Sequence, residues 1–307
     1  MVFAPVTAPQ PLAQRGPFAA LMVDSARRRI FAAGAHSVAV LDADTGKLLA
    51  TVRIDGARSL ALEPLGGHVF VGTADGRISE IDPDRKTIVR SLDAGGAVDA
   101  MVDDAVTGRL YADGDARAEL SVFDTRSFSR SAPVAFPGRV PAQFVPDPIT
   151  RELYVAFADR PEVAIVDPQS ATVRSSFPTP GLLGRRVVRF DEALGQIVVT
   201  GGNGILDVYD RAGTRRFRIA VPDGVGACDL DTNSHVLACT GATFLTFVQL
   251  IREAAPQIMG TTELAGPALV TLDGKTNDAL VVRSVSGGGG TVLERWSTSP
   301  PAAKPTP

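Results

Sequence analysis

The residues best suited to chemistry in this 307-residue chain are arginines that recur at matching points of an apolar pattern. Arg58 and Arg186 each come directly before a short apolar run, and Arg139 and Arg185 lie in similar connecting segments. Because guanidinium presents a planar fork of N–H donors, such residues suit a carboxylate, a phosphate or another anion. Polar residues of nearby loops complete the candidate ligand-binding set: Arg58, Arg139, Arg185, Arg186, Asp99, His36 and Asn203. The alternative interpretation is solvated loop charge, partly paired with neighbouring acids.

Other kinds of chemistry find little support in the sequence. The three histidines, His36, His68 and His235, fall in loops at opposite ends of the predicted strands, so they do not predict a zinc, copper or haem site. The chain has no Gly-x-Ser-x-Gly elbow for a nucleophilic serine. The glycine run Gly287–Gly290 is not followed by a helical pattern that would bind phosphate. We therefore predict no catalytic residue, no metal and no cofactor.

An acid follows the first strand of each predicted repeat. Six acids share one position and the seventh is shifted by one residue after a proline: Asp24, Glu63, Asp103, Asp191, Asp231, Asp273 and Asp147. A ring of carboxylates is one way to bind a cation. The interpretation that we favour is that each acid accepts hydrogen bonds from backbone N–H groups and fixes a hairpin turn.

The two cysteines, Cys228 and Cys239, fall opposite each other on adjacent predicted strands. They align with Val188 and Val199 of the preceding repeat, which is typical of small apolar core residues. The second interpretation is a cross-strand disulfide, which would indicate an oxidising compartment. The sequence leaves both open.

These residues are positioned by a repeat that runs along almost the whole chain. Its anchor residues are 39 to 44 positions apart: Phe31, Phe70, Tyr111, Tyr154, Val198, Leu237 and Val281. The acids Asp42, Asp82, Asp124, Asp167 and Asp210, which close the third run of each unit, repeat with the same period. Four short strand-like runs per unit of this length predict an all-β, seven-bladed propeller of four-stranded antiparallel blades.

The ends of the chain complete the predicted fold. Blades begin near residues 18, 58, 98, 141, 186, 226 and 267, and the last blade supplies only three strands. We expect the N-terminal segment to supply its outer strand and close the ring, so that no sheet edge is left open. Residues 1–296 then form one domain, and the proline-rich residues 297–307 form a disordered tail.

Composition excludes some classes of protein. The net charge is −3, which argues against a nucleic-acid partner. No apolar stretch reaches the roughly 18 residues that a membrane span needs. Residues 1–16 lack the charged start and apolar block of a signal peptide, although they also suit a mature chain from which a signal has been removed.

The repeat carries a family resemblance. Glu152–Ala156, Val163–Asp167 and Val38–Lys47 resemble the bacterial YVTN-type β-propeller repeat, within the lactonase-like and WD-like superfamily. The resemblance implies a bacterial protein, often exported or at the cell surface, so it favours a periplasmic or secreted location. It covers residues 18–296 and is specific for the fold rather than for a function.

Two functions follow from these observations. The first is a non-catalytic binding scaffold, a monomer that contacts an unknown protein, a glycan or a small anionic ligand through the loops of one face. The alternative is an enzyme similar to the sugar-lactone hydrolases, which would need a general base beside the arginines at the axis. A third option, a periplasmic helper in cofactor or metal metabolism, rests on the family resemblance alone.

Overall fold

The chain folds into seven four-stranded antiparallel sheets. The computed structural model describes residues 3–12, 16–114, 117–285 and 290–298, and within these ranges it contains no helix. Each sheet is one blade, and in the first six blades the strands run in chain order from the inside outward, while the outermost strand of the seventh comes from the N-terminus. The first strand of each blade, called here the inner strand, contacts the inner strands of both neighbouring blades, and these contacts run round a closed ring. The predicted seven-bladed β-propeller is confirmed.

The strands are short, as blade strands usually are. Blade 1 comprises β2 (Phe18–Asp24), β3 (Arg29–Gly34), β4 (Ser37–Asp42) and β5 (Leu48–Arg53), and blade 2 comprises β6 (Ala57–Leu62), β7 (Val69–Thr73), β8 (Arg77–Asp82) and β9 (Thr87–Asp93). Blade 3 comprises β10 (Ala100–Asp104), β11 (Arg109–Asp113), β12 (Glu119–Asp124) and β13 (Ser129–Ala135), and blade 4 comprises β14 (Pro141–Pro146), β15 (Leu153–Phe157), β16 (Glu162–Asp167) and β17 (Thr172–Pro178). Blade 5 comprises β18 (Arg186–Asp191), β19 (Gln196–Gly201), β20 (Ile205–Asp210) and β21 (Arg215–Ala220). Blade 6 comprises β22 (Ala227–Asp231), β23 (Val236–Thr240), β24 (Phe244–Ile251) and β25 (Ala254–Glu263). Blade 7 comprises β26 (Ala268–Asp273), β27 (Asp278–Ser284), β28 (Thr291–Ser297) and, as its outer strand, β1 (Gln10–Leu12).

The N-terminal strand closes the ring, as predicted. β1 pairs antiparallel with β28, and Leu12 of β1 is buried against the core between blades 7 and 1. Upstream, the ring of Phe3 packs 4.8 Å from that of Phe247 in blade 6. This pairing covers the outer edge of blade 7, which would otherwise present unpaired backbone groups.

Hydrophobic burial holds neighbouring blades together. The described residues form seven buried apolar clusters, and each cluster lies between two adjacent blades. Strands are buried on both faces in the middle of each blade, which explains why the second and third strands read as continuous apolar runs. Because each blade needs both neighbours to bury its faces, the ring is stabilised as a whole.

Carboxylates fix the hairpin turns at one end of the blades. The hairpins between strands one and two and between strands three and four form this end, called here the lower face; the opposite end is the upper face. Seven acids at the ends of the inner strands each accept a hydrogen bond from a turn N–H: Asp24, Glu63, Asp104, Asp147, Asp191, Asp231 and Asp273. Turn capping therefore accounts for the ring of acids.

One acid of this ring was assigned to the wrong residue in the sequence analysis. Asp104, rather than Asp103, caps the turn of blade 3, since its carboxylate accepts from the N–H groups of Val106 and Thr107. Asp103 is the residue before the cap, and both of its carboxyl oxygens are buried. The error arose because two adjacent acids offer no difference in type, and only the pairing of β10 with β11 sets the register.

Two features of the sequence analysis fall wholly or partly outside the described residues. Ser297 ends β28, so the predicted tail begins inside a strand, and residues 299–307 are not described. Residues 287–289 of the glycine run are likewise not described. Among the residues that are described, no helix is long and apolar enough to cross a membrane.

Candidate functional site: the axial channel

The seven inner strands surround a cavity of about 340 Å³ on the propeller axis. Its wall is uneven in polarity. Blades 7, 1, 2 and 3 contribute mostly apolar side chains, such as Leu269, Leu21 and Leu60. The charged and amide groups are Arg58, Asp99, Gln143, Arg185, Arg189 and Asp229, and four of them belong to blades 4 to 6. Three arginines against two aspartates give the wall a net positive charge in a protein whose overall charge is −3.

Arg185 is the most available cation of the channel. It lies in the connection that leads into β18 and is exposed to solvent. Within the described parts of the chain its side chain makes no hydrogen bond or ion pair. An arginine that faces a cavity without an acidic partner keeps all its N–H donors for a ligand.

Arg189 lies deeper, on β18 itself, four residues from Arg185. Its guanidinium donates to the carbonyl of Val188 at 2.8 Å and to Oε1 of Gln143 at 3.4 Å. Burial lowers the pKa of Arg189, while the charge of Asp229 raises it and that of Arg185 lowers it further. Arginine remains charged near neutral pH even so, because its ordinary pKa lies far above that range. The two arginines therefore repel each other across the channel wall.

Asp229 offsets part of this positive charge, but its carboxylate already accepts hydrogen bonds from groups of blades 6 and 7. Its Oδ2 accepts from Oγ1 of Thr271 at 3.0 Å and from the N–H of Leu272 at 2.8 Å. Its Oδ1 accepts from the N–H of Leu230. The carboxylate thus anchors blade 7 to blade 6 and has little capacity left to accept a proton from a substrate.

Arg58 and Asp99 stand at the upper mouth of the channel. They form an ion pair of 2.7 Å, and each side chain is about half exposed. Exposed pairs of this kind contribute little stability and rearrange readily. Burial, followed by the charge of Asp99, raises the pKa of Asp113 at the end of β11 to about 7. Among the described residues, Arg58 is thus held at the channel mouth only by a half-exposed ion pair.

The structure does not bring Arg186 into the channel. The side chain is 7% exposed and donates to the carbonyls of Phe157, Ala158 and Leu182, which ties blade 5 to blade 4. A β-bulge explains the difference from Arg58. Arg58 sits at a register shift between Ala57 and Ser59, whereas Arg186 pairs directly with Gly201. The inner strand of blade 5 has no bulge at this point, so the alternation of its side chains between the two faces is inverted relative to blade 2. Arg185, rather than Arg186, therefore faces the axis.

Three further residues of the candidate set lie away from the cavity. Arg139 pairs with Glu162 at 3.1 Å and stacks over the rings of Phe136 and Phe157. His36 is 86% exposed and pairs with Asp55. Asn203 braces a loop, since Oδ1 accepts from the N–H of Leu183 and Nδ2 donates to the carbonyl of Gly181. These contacts give each residue a local structural role.

Sequence reasoning missed Gln143, Arg189 and Asp229. A signal for the last two was present: both lie two residues before a capping acid, where blades 1 to 4 carry Met22, Ala61, Val102 and Val145. A charged residue at an otherwise apolar inner-strand position was readable from the aligned repeats. That it faces the axis depends on the strand register, which the structure supplies.

The cysteines are joined in the structure. Cys228 and Cys239 occupy directly opposite positions of β22 and β23, with Cα atoms 4.1 Å apart, and their sulfur atoms form a disulfide. Val188 and Val199 occupy the same register in blade 5. Cys228 also lines the channel, so the bond stiffens the wall next to Asp229. Among the described residues, no group of three or more His, Cys, Asp or Glu side chains could hold a metal ion.

Comparison with known proteins agrees with the fold and leaves the function open. No protein-family model matches the chain. Two proteins called "Uncharacterized protein YncE", from Salmonella typhimurium and Salmonella typhi, are 28% identical over 171 residues, which is 52% of this chain. The chain matches about half the length of these relatives, 48% of each.

Solved structures resemble the chain over nearly its whole length. The propeller domain of Myceliophteria thermophila Cps50 (Swd1) superposes with a TM-score of 0.78 at 10% identity, covering 97% of this chain and 100% of that one. A chain of the mitotic checkpoint complex gives 0.78 at 13% identity, with 97% and 95% covered. Hydrazine synthase of Kuenenia stuttgartiensis gives 0.73 at 14% identity, with 92% and 97% covered. At such identities the likeness concerns the propeller fold alone.

Proposed function

We propose that this protein is a non-catalytic, YVTN-type binding propeller, made of a single domain, that takes a small anionic ligand into the upper mouth of its axial channel. One observation carries the proposal: Arg185 and Arg189 line the same cavity and repel each other, and Arg185 has no acidic partner within the described residues. A bound carboxylate or phosphate would relieve this repulsion and accept hydrogen bonds from both fork-shaped groups.

The rest of the cavity supports the same ligand class. Gln143 lies beside Arg189 and would donate or accept a further hydrogen bond. Arg58 would reach the ligand by leaving its exposed pair with Asp99. The cavity of about 340 Å³ lies at the lower end of the range typical of small-molecule sites. The apolar side chains of blades 7, 1 and 2 would contact the uncharged part of an organic acid.

Lactone hydrolysis is the second candidate, because the channel does contain a carboxylate next to an arginine, Asp229 beside Arg189. Both oxygens of Asp229 are engaged by blades 6 and 7, which favours a structural role over that of a general base. An assay with a sugar lactone decides between the two. Turnover by the wild type that Asp229→Asn abolishes would replace the binding proposal with the enzymatic one.

Binding is tested by calorimetric titration with phosphate and with citrate. We expect Arg185→Ala and Arg189→Ala each to weaken binding at least about tenfold, since a charge-assisted hydrogen bond contributes roughly 1.5–3 kcal/mol. Arg53→Ala is the matched control, because Arg53 is an exposed arginine on the outer strand β5. Equal affinity for all four proteins, or no heat with either anion, would contradict the proposal.

A location outside the cytoplasm is part of the same proposal. The disulfide between Cys228 and Cys239 supports an oxidising compartment such as the periplasm. The family resemblance of the repeat favours the same compartment. Labelling with iodoacetamide of protein purified without reductant tests this: unmodified cysteines that react only after reduction are the expected result.

A further inference from the structure

Three neighbouring blades expose a large aliphatic side chain at the same point of the lower face. Leu65, Val106 and Ile149 each lie two residues after the capping acid of blades 2, 3 and 4. They are 81%, 53% and 65% exposed. The other four blades carry small or polar residues there: Ala26, Ala193, Asn233 and Lys275. Single exposed aliphatics are common, but these three occupy equivalent positions of adjacent blades and form a row on one face, called here the lower-face arc.

The arc is held in a fixed conformation. In each hairpin the capping carboxylate accepts a hydrogen bond from the N–H of the exposed residue itself: Glu63 from Leu65 at 2.9 Å, Asp104 from Val106 at 3.1 Å, and Asp147 from Ile149 at 2.9 Å. In addition, Arg27 of blade 1 donates to the carbonyls of Pro64 and Leu65. Side chains presented on preformed turns lose little conformational freedom when a partner covers them.

A charged cleft adjoins the arc between blades 3 and 4. It has a volume of about 330 Å³, and Thr107 and Thr150, the residues that follow Val106 and Ile149, form part of its lining. The charged lining residues are Arg109, Arg151, Arg174, Glu152 and Asp167. Arg174 pairs with Glu152 at 2.7 Å, and Arg109 donates to the carbonyl of Pro168.

Arg151 is the cation that this cleft leaves available. It is exposed, and its side chain makes no hydrogen bond or ion pair with any residue that the structure describes. The cleft is lined by three arginines and two acids, so it carries one surplus positive charge. Arg151 lies two residues after Ile149, which places this charge beside an exposed apolar side chain. This combination is complementary to a carboxylate that is flanked by apolar side chains.

We infer that the lower face of blades 2 to 4 docks a protein partner through a segment that combines apolar side chains with an acidic residue. The apolar side chains cover the lower-face arc, and the carboxylate enters the cleft and pairs with Arg151. A lipid surface fits less well, because a planar surface covers the exposed aliphatic side chains but does not place an anionic group inside the cleft beside Arg151. This inference does not rest on the proposed ligand site, which opens on the opposite face.

Selection from a phage-displayed library of random twelve-residue peptides tests the inference. The wild type is the bait, and the triple variant Leu65→Ser, Val106→Ser, Ile149→Ser is used for counter-selection. We expect the enriched peptides to share apolar residues and an Asp or Glu. Synthetic copies should bind the triple variant at least about tenfold more weakly. Arg151→Glu should weaken binding similarly, and a peptide with its acid replaced by Lys should restore it.

Leu183→Ser is the matched control, because Leu183 is 62% exposed but lies in a connection on the upper face. It should bind the peptides as the wild type does, and all the variants should melt near the wild-type temperature since the altered side chains are exposed. Three results would overturn the inference: no enrichment over the triple variant, sedimentation of the wild type as a dimer that the triple variant abolishes, or arc-dependent binding to phosphatidylglycerol vesicles.

Discussion

Asp103 is a charged residue at a position that the other six blades fill with an apolar side chain. The counterparts, each directly before a capping acid, are Val23, Leu62, Pro146, Phe190, Leu230 and Leu272. Both carboxyl oxygens of Asp103 are buried and have no hydrogen-bond partner among the described residues. Burial, followed by the nearby charges of Glu63 and Asp104, raises its pKa to about 7. A buried carboxyl without partners destabilises the fold most when it is ionised.

The raised pKa of Asp103 predicts a stability that depends on pH. Between roughly pH 4 and pH 7 the folded chain holds a proton that the unfolded chain has lost, so the contribution of Asp103 to stability falls as the pH rises and is lowest above pH 7. We expect Asp103→Leu to raise the melting temperature by roughly 3 °C or more at pH 8. The gain should shrink toward pH 5.

The neighbouring acid supplies the control for this experiment. Asp104→Ala removes the acceptor of the Val106 and Thr107 N–H groups, so it should lower the melting temperature at both pH values. A gain for Asp103→Leu that is equal at pH 5 and pH 8 would show that packing, rather than ionisation, decides the effect.

At the same scale, residue type alone was a poor guide to role. Arg58 and Arg186 look equivalent in the aligned repeats, yet one is exposed at the channel mouth and the other is buried between blades. The difference depends on one bulge residue, which no composition or period reveals. Repeats therefore predict which strand a residue belongs to, whereas the side of the strand must come from the register.

At the scale of elements, the closing strand was predictable because the last blade contains one strand too few. β1 is only three residues long, but Leu12 is buried among Leu280, Val282 and Leu293. Pro11, between Gln10 and Leu12, is exposed. Alternation of buried and exposed residues at an edge strand also explains why a proline is tolerated there.

Removal of residues 1–12 should lower the melting temperature by about 10 °C or more, because it opens the ring and exposes the edge of β28. A matched pair of point variants localises the effect. Leu12→Asp places a charge in the core and should reproduce much of the loss, while Pro11→Asp should melt near the wild type. An unchanged melt for the truncated chain would show that the ring does not depend on β1.

At the scale of the whole molecule, the ring decides which side chains meet. The period, the turn-capping acids and the missing strand were sufficient to predict seven blades, because each local signal repeats many times and the copies agree. The channel was not predictable in the same way. Gln143, Arg189 and Asp229 come from three different blades and converge only once all seven inner strands surround one axis.

The ring also separates two surfaces with different chemistry. The axial channel is lined by three arginines, of which Arg185 makes no hydrogen bond or ion pair with the described residues, while the lower face presents aliphatic residues on hairpins. The two faces are built from different connections, because all connections of one type fall at the same end of every blade. The two sites can therefore be tested independently.

Anomalous scattering from crystals soaked in sodium selenate shows whether the axial channel binds an anion, because it locates an anion without any assumption about the natural ligand. We expect a selenium peak inside the axial channel, within about 4 Å of the guanidinium groups of both Arg185 and Arg189. The peak should disappear in crystals of Arg189→Ala. Selenate bound only on the outer surface, with the channel unoccupied, would contradict the claim that this protein binds an anion on its axis.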